Sequence, residues 1–347
     1  MQDTMIFQRI PAPLLNWYRE NKRDLPWRNN PTPYEVWVSE IMLQQTRVEA
    51  VKEYYARFIR ALPNVEALAN CAEEKLLKLW EGLGYYSRVR NMQKTARMLV
   101  LEYDGIFPPE PELLRKLPGI GDYTAGAIAS IAYGKRCSAV DGNVLRVASR
   151  LLEAEMPVSS LAFRKWVAQE LGTVYPEEGK ACAEFTQSLF ELGALICKPK
   201  NPNCSICPLA GLCKAYRNGT CLNYPVQLPK REKRVEDVFV FLIQTPEGIC
   251  IRRREAGVLK GMNEFPSYVT HGESSDDVLY SWGITEYTKR KTQTFTHIFT
   301  HIRWNITCVW IQTEVAPFDA YAIEEIRESI SLPTAFRQCL EVLEDGI

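Results

Sequence analysis

The chain has 347 residues, of which 46% are hydrophobic and 24% charged, and its formal net charge is zero. This length predicts two domains rather than one core, and the neutral overall charge does not by itself indicate a nucleic-acid partner. No apolar stretch reaches the roughly 18 residues of a membrane span, and Met1–Pro13 lacks the basic start and apolar run of a signal peptide. We therefore expect a cytoplasmic protein without a membrane partner, and a monomer by default.

Apolar residues recur at three- and four-residue steps through the first two-thirds of the chain, as they do on one face of a helix. The helical segments predicted in this way are Leu14–Tyr18, Val36–Leu43, Val51–Ile59, Leu76–Trp80, Met92–Val100, Ala125–Ile131, Val144–Leu152 and Phe185–Leu195. Short breaks that contain proline or glycine separate them. We expect a mainly α-helical N-terminal domain over residues 1–221.

The composition changes after this region. Residues 222–236 are polar and carry Pro225, Pro229 and a charge run from Lys230 to Arg234, which predicts a linker. Beyond it, two segments flank a turn as in a β-hairpin, one alternates apolar and polar residues as a strand does, and two have helical periodicity. In chain order they are Val238–Gln244, Ile249–Arg253, Arg303–Thr313, Ala322–Ile330 and Thr334–Leu343. We expect a small α/β domain over residues 237–347.

Four of the eleven cysteines fall within one short segment, at Cys197, Cys204, Cys207 and Cys213. Four thiols this close converge on one loop, and in a reducing compartment such a loop holds a metal. Zinc loops usually pair two short-spaced couples across a longer gap, whereas the C-x6-C-x2-C-x5-C spacing contains one short couple only. This spacing favours a [4Fe–4S] cluster over zinc. The other seven cysteines are interpreted as small apolar residues.

A short glycine-rich turn lies between two predicted helices, in Leu117–Ala125. Gly119 and Gly121 flank Ile120, and glycines allow a sharp turn and a close approach to a ligand. This turn resembles the helix-hairpin-helix motif of the endonuclease III superfamily of DNA glycosylases, and the cysteine spacing resembles the cluster loop of the same superfamily. The resemblance covers nearly all of residues 7–221. It implies that the turn holds a phosphate of double-stranded DNA and that the cluster is mainly structural.

Glu40 lies in a helix that a Thr-x-x-Glu capping box starts at Thr32. On the helical period it shares a face with Val36, Trp37 and Leu43, so burial should raise its pKa. A carboxyl group that stays protonated suits a general acid. The alternative is a partly exposed glutamate at a helix edge.

Asp141 precedes another predicted helix and is expected to cap it, where an anion is favoured, so it should stay ionised. A simple N-cap is the alternative. The two carboxyl groups together resemble those of the adenine-removing branch of the superfamily. There, the resemblance implies that Glu40 protonates adenine and that Asp141 stabilises the sugar cation, with Tyr123 and Asn143 assisting. The bifunctional relatives carry a lysine nucleophile where this chain has Tyr123, so we expect a monofunctional enzyme.

The same resemblance implies further DNA contacts in the N-terminal domain. Trp27 and Arg28 match the segment beside the adenine pocket, and Gln187 matches the group that contacts the base edge. Gln45 and Tyr85 match residues that enter the duplex where the base leaves, as base flipping requires.

The C-terminal domain resembles the Nudix-like domain of the same branch, which recognises 8-oxoguanine. Gly261–Pro266 resembles its G-L-W-E-F-P segment, with Asn263 in place of tryptophan. Phe299, Thr300 and His301 resemble its H-x-F-S-H loop, with threonine replacing serine. A second Phe-Thr-His triplet ends at His297, but the strand that follows His301 favours the later register.

These features predict a monofunctional glycosylase that removes adenine opposite 8-oxoguanine or guanine and leaves an abasic site. A thymine glycosylase for G·T mismatches is the alternative enzyme, because it also lacks the lysine. A non-catalytic iron–sulfur DNA-binding protein is the alternative outside enzymes, although such a protein needs neither Glu40 nor Asp141.

Overall fold

The computed structural model describes residues 5–29, 31–229 and 232–344. The chain forms two compact units. The helical unit comprises Met1–Asn70 and Arg90–Pro229, and the mixed unit comprises Cys71–Val89 and Lys230–Ile347. The segment Cys71–Val89, predicted within the N-terminal domain, thus groups with the C-terminal residues. No helix among the described residues is long and apolar enough to cross a membrane.

Each helical segment predicted for the first 221 residues is present. Among the described residues the α-helices are α1 (Met5–Gln8), α2 (Pro11–Asn21), α3 (Pro33–Leu43), α4 (Val48–Ala61), α5 (Val65–Ala69), α6 (Glu73–Leu79), α7 (Ser87–Glu102), α8 (Pro111–Leu114), α9 (Asp122–Ala127), α10 (Gly142–Leu152), α11 (Leu161–Val174), α12 (Lys180–Glu191), α13 (Lys214–Arg217), α14 (Ser275–Ser281), α15 (Ile323–Glu328), α16 (Thr334–Arg337) and α17 (Leu340–Glu344). α9 and α12 each continue into a π-helical turn, Ile128–Ala132 and Leu192–Ile196.

The helix that carries Glu40 begins as predicted. The Thr32 hydroxyl accepts a hydrogen bond from the Glu35 backbone N–H (3.2 Å), and the Glu35 carboxylate accepts one from the Thr32 N–H (2.8 Å). Pro33 occupies the first turn, where its missing N–H costs nothing. α3 then packs against α9 and the π-helical turn that follows it, which places its Glu40 face in the interior.

The mixed unit contains eight strands among its described residues, six of which form one sheet. The strands are β1 (Arg234–Thr245), β2 (Gly248–Cys250), β3 (Arg252–Arg253), β4 (Asn263–Glu264), β5 (Ser267–Val269), β6 (Thr288–Ile298), β7 (Ile302–Gln312) and β8 (Ala320–Tyr321). The order is β6-β7-β1-β2-β8, with β5 also paired to β1, while β3 and β4 form a separate pair. The predicted hairpin is β1–β2, with Thr245 opposite Gly248.

The centre of this sheet is a parallel pair, β1 and β7, aligned from Arg234–Ile302 to Gln244–Gln312. Strands covered on both faces are apolar throughout, and Val238–Ile243 is such a run. Alternate residues enter two cores, one closed by α16 and α17 and the other by α14. β6, which was not predicted from the sequence, is the outer antiparallel partner of β7.

The segment predicted as a linker, residues 222–236, contacts the helical unit at its start and enters β1 at its end. Its first half lies against the helical unit, where the Tyr224 carbonyl accepts from Arg150 (3.0 Å) and the Val226 carbonyl accepts from the Val158 N–H (3.3 Å). Its last residues belong to β1, which starts at Arg234. These contacts use backbone carbonyls, which the polar composition of the segment does not reveal. Lys230 and Arg231 of the charge run lie outside the described residues.

A buried carboxylate joins β3, β4 and β5. Glu264 is fully buried and accepts from Arg252 (2.9 Å), Arg254 (2.7 Å) and Ser267 (2.9 Å). The Arg252 guanidinium also lies over the rings of Trp282 and Phe318, and that of Arg254 lies over the ring of Trp304. Since removal of one partner would leave buried charge uncompensated, this cluster should dominate the local stability.

We predict that Glu264→Gln destabilises the mixed unit by about 3 kcal/mol, the cost of breaking a buried ion pair. Hydrogen–deuterium exchange in the full chain should report lost protection along β1 and β7. Glu74→Gln is the matched control, because its ion pair with Arg253 is exposed (2.9 Å) and should contribute little. Equal protection in both variants would contradict this role for Glu264.

Candidate active site

A cavity of about 710 Å³ in the helical unit collects the four predicted catalytic residues and four of the predicted DNA contacts. Its lining includes Trp27, Arg28, Glu40, Gln45, Tyr123, Asp141, Asn143 and Gln187. These residues come from α3, α9, α10, α12 and the connecting segments, so the tertiary fold assembles them. The volume suits a small organic group such as a nucleobase.

Glu40 faces this cavity from α3 and is 5% exposed. Burial raises the pKa of its carboxyl group to about 7, a rise that the Tyr123 hydrogen bond opposes and the Asp141 charge adds to. The predicted burial and raised pKa are therefore confirmed. A carboxyl group with this pKa can give up a proton near neutral pH.

Tyr123, near the start of α9, donates a hydrogen bond from its hydroxyl to Glu40 Oε2. Burial, with the nearby charges of Glu40 and Asp141, raises the pKa of this phenol well above its usual value. Tyr123 therefore stays neutral and acts as a hydrogen-bond donor. Its ring packs at a tilt against Phe190, with 5.8 Å between centroids, which fixes the direction of the hydroxyl.

Asp141 caps α10 as predicted, since its Oδ1 accepts from the Val144 N–H (2.8 Å). Its Oδ2 accepts from the Asn143 amide (2.7 Å). The cap acts in the expected direction, because both hydrogen bonds favour the ionised carboxylate. Burial raises the pKa of Asp141 above its usual value and outweighs the two hydrogen bonds that lower it. The cap therefore opposes protonation of Asp141 without setting the sign of the shift.

Arg146, one turn further along α10, holds the Asn143 side chain. Its guanidinium donates to Asn143 Oδ1 (2.7 Å), to the Gly193 carbonyl (2.8 Å) and to the Cys197 carbonyl (2.7 Å). The Asn143 amide nitrogen is thereby directed at Asp141. Arg146 was not predicted from the sequence, where its only signal is its i+3 spacing from Asn143 on a helix.

A second buried carboxylate, Glu191, lies at another part of the cavity wall. Burial alone would raise the pKa of Glu191, but hydrogen bonds from Arg23 and Arg28 lower it. The shortest contacts are 2.6 Å to Arg23 and 2.7 Å to Arg28. Arg28, predicted to lie beside the base, is thus held in an ion pair. Gln187, on the same helix as Glu191, accepts from the Tyr18 hydroxyl (3.2 Å).

Gln45 and Tyr85 have left-handed backbone, with φ of 61° and 48°. Positive φ is uncommon for residues other than glycine and marks positions that surrounding structure imposes. Both side chains are exposed, Tyr85 by 47%. Gln45 in the helical unit and Tyr85 in the mixed unit, the two residues predicted to enter the duplex, therefore both lie on constrained turns.

The predicted hairpin joins α8 to α9. Gly119 has a φ of 77°, and a Cβ there would lie 2.9 Å from Asn91 Cβ, so glycine is required. Gly121 has a φ of −94°, and a Cβ added there would meet no atom within 4 Å, so no contact within the described residues requires glycine at this position. The Pro118 carbonyl accepts from the Thr95 hydroxyl (2.7 Å), which ties the turn to α7.

The four clustered cysteines follow the π-helical turn after α12. Burial raises the pKa of the Cys207 thiol to about 12 and that of the Cys213 thiol to about 11, so their thiolates need a compensating metal at neutral pH. The buried Arg150 guanidinium donates to Cys197 Sγ (3.3 Å) and to two carbonyls of the same loop. The four cysteine thiols are the ligand set of an iron–sulfur cluster, and a bound cluster would hold the loop as one rigid element.

The predicted C-terminal triplet forms the tip of the β6–β7 hairpin. The Phe299 ring packs against Trp304, with 4.8 Å between centroids, while Thr300 and His301 are exposed. The Thr300 hydroxyl lies 3.1 Å from the Tyr85 hydroxyl, within hydrogen-bonding distance. The other triplet lies inside β6, so the favoured register places the loop at the turn.

Family models agree with this architecture. Residues 38–161 match the HhH-GPD superfamily of base excision DNA repair proteins, and residues 239–342 match the NUDIX domain. Residues 197–213 match the iron-sulfur binding domain of endonuclease III. The predicted fold class and the cofactor, one [4Fe–4S] cluster, are thereby confirmed.

Several curated relatives carry the name adenine DNA glycosylase. One from Buchnera aphidicola subsp. Baizongia pistaciae is 36% identical over 89% of this chain and 86% of its own length. One from Mus musculus is 37% identical over 73% of this chain, and one from Arabidopsis thaliana is 36% identical over 85%. The chain spans 59% of the mouse relative's length and 56% of the plant relative's.

Two solved structures resemble the helical part. A thermostable thymine-DNA glycosylase is 27% identical, with a TM-score of 0.56 over 62% of this chain and 98% of its own. Endonuclease III in a non-covalent DNA complex is 23% identical, with a TM-score of 0.53 over 63% and 99%. The second likeness concerns the fold alone.

The buried Glu40 predicts a pH-dependent stability difference. Its pKa is about 7 when folded against 4.5 for the ordinary group, so its contribution is complete below about 4.5 and is lost as pH rises through about 7. We predict that Glu40→Gln stabilises the chain at pH 8 by up to ~3 kcal/mol relative to its effect at pH 5. Denaturant unfolding at both pH values measures this.

Glu53→Gln, at an exposed position of α4, controls for the loss of one negative charge. If the difference in unfolding free energy between Glu40→Gln and the unsubstituted chain stays constant from pH 5 to 8, Glu40 does not have the raised pKa that this prediction uses.

Proposed function

The chain belongs to the adenine DNA glycosylase family of base excision repair, and we propose that it removes adenine mispaired with 8-oxoguanine, or with guanine, from double-stranded DNA. It is a hydrolase of the N-glycosidic bond. The observation that carries the proposed mechanism is the single cavity that holds Glu40, Tyr123 and Asp141. A base in the stack cannot reach these groups, so adenine must be flipped out of the duplex.

Glu40 is the proposed general acid. Its pKa of about 7 leaves a large protonated fraction at neutral pH, and its proton goes to N7 of the flipped adenine. Protonation makes adenine a better leaving group, because the base departs neutral when the bond to C1′ breaks. The Tyr123 hydroxyl holds the Glu40 carboxyl group in position through its hydrogen bond.

Asp141 is the proposed stabiliser of the sugar. As the bond to adenine breaks, positive charge develops at C1′ and the ring oxygen, and a carboxylate nearby lowers the energy of that cation. The Asn143 amide and the Val144 N–H keep the Asp141 oxygens oriented. Water adds to C1′ and passes its proton to a carboxylate of the site, which leaves an abasic site.

Tyr123 also limits the reaction. A glycosylase that cuts the strand uses an amine to attack C1′ and form a Schiff base. The phenol of Tyr123 is kept neutral, and it offers no nitrogen for that intermediate. The chemistry therefore ends at hydrolysis.

The contacts to DNA follow from exposed backbone and side chains. The Gly119 turn before α9 lets a phosphate approach backbone N–H groups closely. Gln45 and Tyr85, on left-handed turns, are proposed to fill the gap that the flipped base leaves. Phe299, Thr300 and His301 at the β6–β7 tip are proposed to read the base opposite, with the Thr300 hydroxyl as a donor or acceptor to 8-oxoguanine.

Single-turnover reactions on four duplexes test this function: A·8-oxoguanine, A·G, G·T and thymine glycol. We predict release of adenine alone, and strand breaks only after alkali is added. Release should slow as pH rises above about 7, because Glu40 acts in its protonated form. Glu40→Gln should reduce the rate by ~10²–10⁴, the usual contribution of a general acid, whereas Glu53→Gln should leave it unchanged.

Two results would contradict this assignment. Thymine release from G·T would favour the activity named for the structural neighbour. Strand breaks without alkali would mean that another amine replaces the missing lysine.

The C-terminal tip gives a separate prediction. Thr300→Ala removes the exposed hydroxyl, so the preference for A·8-oxoguanine over A·G should fall, by about the tenfold that one lost hydrogen bond of ~1–1.5 kcal/mol represents. Thr296→Ala, in the other triplet within β6, should leave the preference unchanged. Single-turnover rates on both duplexes give the ratio, and a change confined to Thr296→Ala would reverse the assigned register.

A further inference from the structure

A fifth thiol lies next to the cluster loop. Cys221 Sγ is 3.7 Å from Cys204 Sγ, and its side chain is partly exposed. From the sequence, Cys221 is interpreted as a small apolar residue, but its neighbour in the structure is a cluster ligand rather than a core side chain. The four-cysteine match ends at residue 213, so it does not include Cys221.

Hydrogen bonds on both sides fix the position of Cys221. Before it, the Thr220 hydroxyl donates to Glu153, and the Thr220 N–H donates to the Ala215 carbonyl (2.8 Å). After it, the Tyr224 carbonyl accepts from Arg150 (3.0 Å), the same guanidinium that contacts Cys197 Sγ. Cys221 is therefore built into the loop that surrounds the cluster.

The four ligands differ in how firmly the protein holds them. Cys197, Cys207 and Cys213 pack against the hydrophobic core of the helical unit. Cys204 instead starts a short 3-10 turn whose next residues, Ser205 and Ile206, are exposed, Ile206 by 64%. The corner of the cluster at Cys204 is thus the most open to water and to competing ligands, and it is the corner that Cys221 adjoins.

We propose that Cys221 is a reserve ligand for the iron bound by Cys204. When the iron–sulfur bond to Cys204 breaks, the Cys204 thiolate takes up a proton from water. The Cys221 thiol releases its proton to water and forms a bond to the same iron. No electron is transferred, so the cluster keeps its oxidation state.

The geometry allows this exchange without refolding. A change of rotamer moves a cysteine sulfur by about 3 Å, which is comparable to the 3.7 Å between the two sulfur atoms. Because Cys221 is tethered, its effective concentration at the iron far exceeds that of a free thiol. Cys221 therefore rebinds the iron before the cluster is lost.

Three variants of the full chain test the proposal: Cys204→Ala, Cys207→Ala and the double variant Cys204→Ala with Cys221→Ala. We expect Cys204→Ala to purify with about four irons per chain and the visible absorbance of the cluster. Cys221 should then resist iodoacetamide, as mass spectrometry would detect. Cys207→Ala and the double variant should lack the cluster. An iron-free Cys204→Ala, or an iron-loaded double variant, would overturn the proposal.

Cys221→Ala tests the same idea with all four ligands intact. Under a ferrous chelator, the cluster of Cys221→Ala should bleach several-fold faster than that of the unsubstituted chain, because no sulfur can recapture the iron. Equal bleaching rates would overturn the proposal, whether or not Cys204→Ala can be purified.

Discussion

The buried guanidinium of Arg150 makes the contacts on which the candidate active site depends, because it joins the cysteine loop to α10. It is 2% exposed and reaches the Cys197 sulfur, the carbonyls of Lys198 and Pro199, and the Tyr224 carbonyl. Burying a cation is costly unless its donors are satisfied and negative charge lies near. Carbonyl oxygens satisfy the donors, and the thiolates of the cluster loop supply the charge. The loop and α10 therefore stabilise each other.

α10 connects the cysteine loop to Asp141, one of the proposed catalytic residues. Its first turn is capped by Asp141, and Arg146 on the same helix connects the Asn143 amide to the Cys197 carbonyl. The Asn143 amide then holds Asp141 at 2.7 Å. The cysteine loop can thus affect the rate of the proposed reaction, because loss of the loop would release the side chain that orients Asp141. A displacement of a catalytic group by about 1 Å can lower a reaction rate by about 100-fold.

The sequence predicted what depends on local pattern. Glu40 was identifiable because an apolar helical face surrounds it, and the same burial raises its pKa. The ion pair of Glu191 with Arg23 was not identifiable, because 168 residues separate the partners. β6 escaped prediction because it is an edge strand whose side chains are largely exposed, so it lacks the apolar alternation that signals a strand. For Asp141, the local cap was predictable, but the net shift depends on burial by distant segments.

Buried contacts also hold the exposed turn between β6 and β7. The Phe299 ring packs on Trp304, which is fully buried and donates from Nε1 to Glu236 (2.8 Å). The Phe299 N–H donates to the Ile302 carbonyl (2.8 Å), which closes the turn. The backbone hydrogen bond and the aromatic ring therefore hold the turn, and the side chains of Thr300 and His301 stay exposed, as the proposed contact with a base requires. The proposed discrimination between 8-oxoguanine and guanine depends on the changed groups at C8 and N7 of the purine, and such a difference is readable only by a donor or acceptor that is held in place.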